Sequence, residues 1–216
     1  MNLAKRAAVG LTAAAFLTVP LAACSSGSSS GDSSKPVAQV NNLSKGKMTQ
    51  VTLNKGFTDA LTALKLTPGI VGTAKLDGTT GVATFPITGG NVTYYKPGSV
   101  NPFVQGDIQH DGSGLSLTAG ATKVELTNFD IDPGASKLYG RVSVNGKVAV
   151  AKAYLFNLDG TTLKALQTPT ADTAVLEGTK VEMSPDAAGL LNQTFKTSAV
   201  KAGLVVGIAK ITVATK

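Results

Sequence analysis

The feature that most limits what this chain can fold into is how often its apolar runs are broken by turn residues. Past residue 45 the hydrophobic side chains come in short stretches that alternate with polar ones, and Gly, Asn, Asp or Pro interrupts each stretch early. A period of two puts one face of a strand against a core, and the interruptions mark where the chain reverses. The plainest case is Asn145-Gly146 between 137–144 and 147–156. Both residues tolerate the positive φ that a two-residue hairpin turn demands.

The same reading predicts strands over 49–53, 91–95, 103–109, 115–117, 123–131 and 179–183. A hairpin is expected from 72–76 and 82–87 around Asp77-Gly78-Thr79-Thr80-Gly81, and 97–102 reads as an irregular loop. His110-Asp111-Gly112-Ser113-Gly114 reads as a turn, because its two glycines permit backbone angles that other residues resist. The stretch 203–214 is a long apolar strand suited to the middle of a sheet. Two helices break the pattern. Asn54 is placed to cap one in which Phe57, Leu61 and Leu64 share a face, with Thr67-Pro68-Gly69 ending it. Ser184 and Pro185 open a second over 185–195, with Asp186 in its first turn and Leu190, Leu191 and Phe195 facing inward. Roughly ten strands and two short helices make an all-β fold, an antiparallel β-sandwich or flattened barrel. With no cysteine past residue 24, this body has no disulfide to rely on and must be held by packing.

Ahead of the body lies a different kind of sequence. Lys5 and Arg6 precede an apolar stretch, 7–21, and small residues lead up to the chain's one cysteine, which is the layout of an export signal. The stretch holds about 15 residues, short of the roughly 20 that a spanning helix needs, and no stop-transfer pattern follows. Leu21-Ala22-Ala23-Cys24 resembles a bacterial lipobox. That resemblance implies cleavage before Cys24 and a diacylglycerol on its sulfur, so that the mature chain is held on the extracytoplasmic face of a membrane. The competing reading makes Cys24 an ordinary residue beside a plain cleavage site. A tract of Ser and Gly follows, with nothing apolar to set against the entropy of ordering it. The expected organisation is therefore a signal over 1–23, a tether over 24–44 and one β-rich domain over 45–216.

Composition narrows the function. The net charge of +7 falls to +5 once Lys5 and Arg6 are set aside, the lysines are scattered, Arg141 is the only arginine after the signal, and there is no Trp. A nucleic-acid surface wants arginine forks and aromatic platforms, so none is expected. No Gly-x-Ser-x-Gly elbow presents a nucleophile, and one histidine with no spare cysteine makes a poor metal set. Asp130 and Asp132 point to the same side of a strand and are candidates for a shared cation or for turn and edge solvation before Pro133. The chain is not expected to be an enzyme, and no cofactor or metal follows from the residues. The ligand-binding candidates are His110, Tyr94 and Tyr95. His110 reads either as a surface histidine in a turn or as a ligand-orienting imidazole. Tyr94 and Tyr95 are adjacent on a strand, so only one of them can face a given pocket.

The run Phe103-Val-Gln-Gly-Asp-Ile-Gln-His110-Asp-Gly-Ser-Gly-Leu-Ser-Leu117, followed by Val124-Glu-Leu-Thr-Asn-Phe-Asp-Ile131, resembles the conserved-region domain of the HtaA-type haem-uptake proteins of actinobacterial envelopes. Lys55-Gly56-Phe57-Thr58-Asp59-Ala60 sits where that family has a short helix. The resemblance implies an all-β domain of two sheets with two short helices. It also implies haem held by a tyrosine on the early helix, supported by a histidine that corresponds to His110. Ala60 stands where the iron-binding tyrosine is matched, and the tryptophan ahead of the helix is missing, so haem ligation would fall to Tyr94, Tyr95 or His110.

Three functions follow. The first is a lipid-anchored envelope lipoprotein whose non-catalytic domain binds a small apolar ligand or a partner. The second is a haem-binding or haem-relay surface protein, and the third is a hydrolase with a dispersed site. The anchor has a direct test: Cys24→Ser is expected to release the protein into the medium or leave it unprocessed. Unchanged membrane retention in cell fractionation contradicts it.

Overall fold

The alternating segments pair edge to edge in a single antiparallel sheet. The structure, a computed structural model, describes residues 35–216; the signal, Cys24 and the Ser/Gly tract up to residue 34 lie outside the described residues. In chain order the elements are β1 (Ala38–Val40), β2 (Met48–Leu53), α1 (Lys55–Ala63), β3 (Thr67–Gly72), β4 (Lys75–Asp77), β5 (Val82–Pro86), β6 (Gly89–Tyr94), β7 (Val104–Ala119), β8 (Thr122–Asp132), β9 (Lys137–Val144), β10 (Lys147–Asp159), β11 (Gln167–Thr170), β12 (Thr173–Met183), α2 (Pro185–Phe195) and β13 (Val205–Ala214). The 13-stranded sheet runs β1-β6-β7-β8-β9-β10-β12-β13-β2-β5-β4, with β11 added to β12 and β3 to β7. It curls into a half-barrel, the flattened-barrel form of the expected fold, as one continuous sheet in place of two.

Local chemistry sets the expected elements where they stand. Asn145 and Gly146 take φ of 49° and 77°, closing the β9–β10 hairpin with the left-handed pair that it needs. Asn54 caps α1 by accepting from the Gly56 amide at 2.8 Å, and Ser184 caps α2 by accepting from the Ala187 amide at 2.9 Å. α1 buries Phe57 and Leu61, while α2 lays Leu190 and Leu191 against Val124, Leu126, Val142 and Leu155. β13 lies between β12 and β2, in the middle of the sheet.

Four expectations are corrected. The folded body starts earlier than residue 45: β1 pairs Ala38 with Tyr94, and Leu43 is 1% exposed, so the last part of the expected tether belongs to the domain. α1 ends at Ala63 with Lys65 at a left-handed φ of 54°, and Thr67-Pro68-Gly69 opens β3 along β7. The short strand β11 lies in polar, Thr-rich sequence, and the first half of β12 carries the unbroken apolar run Ala174-Val175-Leu176, so neither gave an alternation to read.

The fourth correction matters most. 110–114 is not a turn: β7 runs straight through it as a strand of 16 residues. Its register against β8 goes from His110↔Phe129 to Gly114↔Thr127, so β7 spends Asp111, Gly112 and Ser113 where β8 spends Asn128. Gly112 (φ 70°) and Asn128 (φ 52°) turn the two backbones left-handed, and the Gly112 amide donates to Asn128 Oδ1 at 3.1 Å. A glycine in a strand marks such a bulge as readily as a turn. The bulge changes which positions face inward: Ile108 and His110 before it, Leu115 and Leu117 after it, with Phe129 and Ile131 giving way to Leu126 and Val124 on β8.

The antiparallel registers give the half-barrel two distinct ends. β7, β9 and β12 begin, and β6, β8, β10 and β13 finish, at one of them, which also holds segments 95–103, 133–136 and 160–166. At the other end, β2 and β12 run out into α1 and α2. The described residues form a compact unit of their own, and every buried apolar side chain among them falls between Leu43 and Val213.

Gly114 tests the bulge. A Cβ there would stand 2.1 Å from the Leu126 carbonyl oxygen, so Gly114→Ala is expected to cost at least about 2 kcal/mol in chemical denaturation. Gly78→Ala meets nothing within 4 Å and should stay within about 0.5 kcal/mol of the parent. Equal midpoints for the two variants would contradict the packing described.

Candidate ligand-binding site

The concave side of the half-barrel encloses a cavity of about 360 Å³. Its walls come from strands far apart in sequence: Val51 on β2, Phe85 on β5, Val92 on β6, Ile131 on β8 and Ile211 on β13. No aspartate, glutamate, lysine or arginine lines it. The rings of Phe85, Phe129 and Phe156 follow one another edge to face along the interior, at 5.3 and 6.5 Å between centroids. At the end away from the helices the lining passes to Phe103, Pro133, Leu163 and Leu166, which stand in the connecting segments. A volume near the lower end of the roughly 300–1,000 Å³ of ligand pockets suits a narrow apolar group better than a bulky one.

His110 lies in this lining and not at the surface as its reading in a turn would have it; it is 1% exposed. Nε2 sits 2.8 Å from Thr49 Oγ1 and Nδ1 sits 3.3 Å from the Phe129 carbonyl oxygen. The carbonyl only accepts, so Nδ1–H donates to it and the Thr49 hydroxyl donates to Nε2. Burial pushes the imidazole down to about 4, outweighing the hydrogen bonds and the Asp111 and Asp130 charges that act the other way. The ring is therefore neutral and fully used within the fold. Thr49 carried no signal in the sequence beyond opening a strand; only the curl of the sheet brings it to His110.

Tyr94 also lines the cavity, 7% exposed, with Phe103 edge-on at 5.7 Å. Tyr95 is outside the lining, as its opposite orientation on the strand requires. The structure thus brings Tyr94 and His110 to one cavity and leaves Tyr95 out. Ala60 is not among the lining residues either. Asp130 is paired with Lys152 at 2.6 Å and Asp132 accepts from the Ala135 amide at 2.8 Å, the turn role of the two readings. Asp107, beside Asp130, is pushed up to about 6 by burial and by its neighbour's carboxylate. Among the described residues no three His, Cys, Asp or Glu side chains gather as a metal site.

No protein-family model matches the chain, and no curated protein does. Solved structures do. The C-terminal domain of HtaA from Corynebacterium glutamicum is 13% identical, with 82% of this chain and 98% of that one covered at a TM-score of 0.52. This chain has that domain's fold, at a coarse level. The N-terminal domain of HtaA from the same organism (9% identity, 79% and 98% covered, TM-score 0.44) and its haem-binding protein HtaB (10%, 83% and 96%, 0.38) are more distant matches.

The buried histidine gives stability a pH dependence of known sign. In the unfolded chain the imidazole titrates near 6.5, so below that value the unfolded state binds more protons than the fold. Its contribution is complete above pH 6.5 and is lost as pH falls toward 4, by about 3 kcal/mol. Asp107 works the other way, its raised value favouring the fold less as pH climbs from 3.8 to about 6. Urea unfolding of the parent and of His110→Gln across this window separates them: the variant should lose the steep acid-side decline. Parallel curves would mean that His110 is not held neutral.

Proposed function

We propose that this chain is a non-catalytic lipoprotein of the cell envelope, anchored through acyl groups on Cys24, whose half-barrel binds a small apolar ligand. The observation that carries the reading is the cavity of about 360 Å³ without a charged side chain in its lining. A protein that used this volume only for its own stability would fill it, because interiors pack densely and voids lose contacts on every side. His110 is engaged by Thr49 and the Phe129 carbonyl, and the lining holds no charged acid or base and no cluster of metal ligands. That supports binding over chemistry. The Ser/Gly tract supports a domain held out from a membrane surface.

A second reading, haem uptake, is favoured by the shared fold with the HtaA C-terminal domain. The cavity supplies apolar walls for such a group. Ala60 has no donor and His110 has both nitrogens engaged, which leaves Tyr94, edge-on to Phe103, as the phenol in the lining. The residues present do not fit haem ligation as the family resemblance describes it.

Titration of residues 35–216 with N-phenyl-1-naphthylamine, an uncharged dye that is bright only out of water, tests the first reading. One saturable site is expected, weakened at least about tenfold by Ile211→Arg, which puts an unpaired charge in the wall. Circular dichroism checks that the variant is folded. No binding, or equal binding to the folded variant, overturns the reading. Hemin added to the same protein decides the second: a Soret band lost in Tyr94→Phe or His110→Gln supports it, and no band retires it.

A further inference from the structure

The lining of the cavity reaches the connecting segments at the end away from the helices. We propose that the trough takes up one acyl chain of an anionic membrane phospholipid, tail first, leaving the headgroup at the mouth. The proposal rests on the apolar-ligand reading above and gives its ligand a chemical class.

The shape comes first. α1 and α2 sit at the end where β2 and β12 finish, while Phe103, Pro133, Leu163 and Leu166 line the cavity in the connecting segments at the other. A trough without a charged side chain in its lining admits a molecule whose inserted part is uncharged along its length and whose polar part stays outside. An acyl chain meets that demand; a ligand with charge distributed around it does not. The polar side chains that the lining does have at the mouth, Gln39, Ser136 and Thr215, are neutral hydrogen-bonding groups suited to ester oxygens.

The charge around the mouth points the same way. Two acids at this end are paired with lysines, Asp159 with Lys180 and Glu177 with Lys164, each at 2.9 Å, while Asp172 accepts from the Thr170 hydroxyl at 2.7 Å and Asp132 from the Ala135 amide at 2.8 Å. Lys35, just ahead of β1, and Lys96, in segment 95–103, are exposed and form no ion pair among the described residues. Two unspent cations beside an apolar opening complement a negatively charged headgroup.

The third observation is where the described residues begin. Lys35 lies just ahead of β1, and Ala38 pairs with Tyr94, so Lys35 stands at the rim of the cavity and not at the helical end.

The test mixes residues 35–216 with vesicles carrying a pyrene-acyl lipid, whose excimer emission falls when single lipids leave the bilayer. With phosphatidylglycerol vesicles, extraction is expected to saturate near one lipid per chain and to vanish in Ile211→Arg. Lys35→Glu with Lys96→Glu should slow it about fivefold or more from phosphatidylglycerol and change phosphatidylcholine little, with N-phenyl-1-naphthylamine binding intact. Dye binding without lipid extraction from either vesicle overturns the proposal and leaves the apolar-ligand reading standing. Absence of dye binding takes down both. Extraction by residues 35–216 but not by the acylated full-length chain would place the chain's own acyl group in the trough and would overturn it as well.

Discussion

The concave interior depends on the paired bulge where β7 crosses β8. Without it, a strand of 16 residues would carry its inward side chains on one parity throughout, and the apolar positions 115 and 117 would face the solvent while 108 and 110 faced the core. Asp111–Ser113 against Asn128 removes that conflict by rotating both backbones once. The same local rotation raises twist, which a sheet needs in order to curl over its own face. The bulge is tied in on several sides. Gly112 reaches Asn128, the Thr73 amide donates to the Gly112 carbonyl at 3.1 Å, and the Asp111 amide donates to the Thr88 hydroxyl at 2.9 Å.

His110 sits at the last position before this change, and that placement explains its chemistry. Its ring is pressed between β2 and β8 with both nitrogens taken, so it braces the bulge from inside and contributes no free ligand to the cavity. An uncharged lining then follows from the curl: the sheet gathers one face of many strands around a space, and every charged side chain has an outer face to go to. The resulting site is made by topology, from strands that run from β1 to β13 along the chain.

The amount of this that could be read from the sequence follows from the range of the signals. Asn145-Gly146, Asn54 and Ser184-Pro185 act over a few residues, and each formed the turn or helix start expected of it. The all-β class and the central place of β13 were legible for the same reason. His110–Gly114 was misread because a break in alternation looks alike whether the chain reverses or bulges; the partner strand decides, and Asn128 gave no sign of it. Thr49 as the partner of His110, and Phe103 and Leu163 as the cavity mouth, depend on long-range pairing that no local pattern encodes. The resemblance to the HtaA-type domain pointed to the right fold at a coarse level and singled out His110, which lines the cavity, while it matched Ala60 to the position of an iron-binding tyrosine.

The proposal that the space inside the curled sheet binds an apolar molecule underlies the rest. Native mass spectrometry of the protein purified gently from the cells that make it tests it most directly. The account expects a non-covalent adduct of one small apolar species per chain, absent from the folded Ile211→Arg variant. A chain that carries none under conditions that preserve the fold, or an adduct unchanged by that substitution, would contradict it.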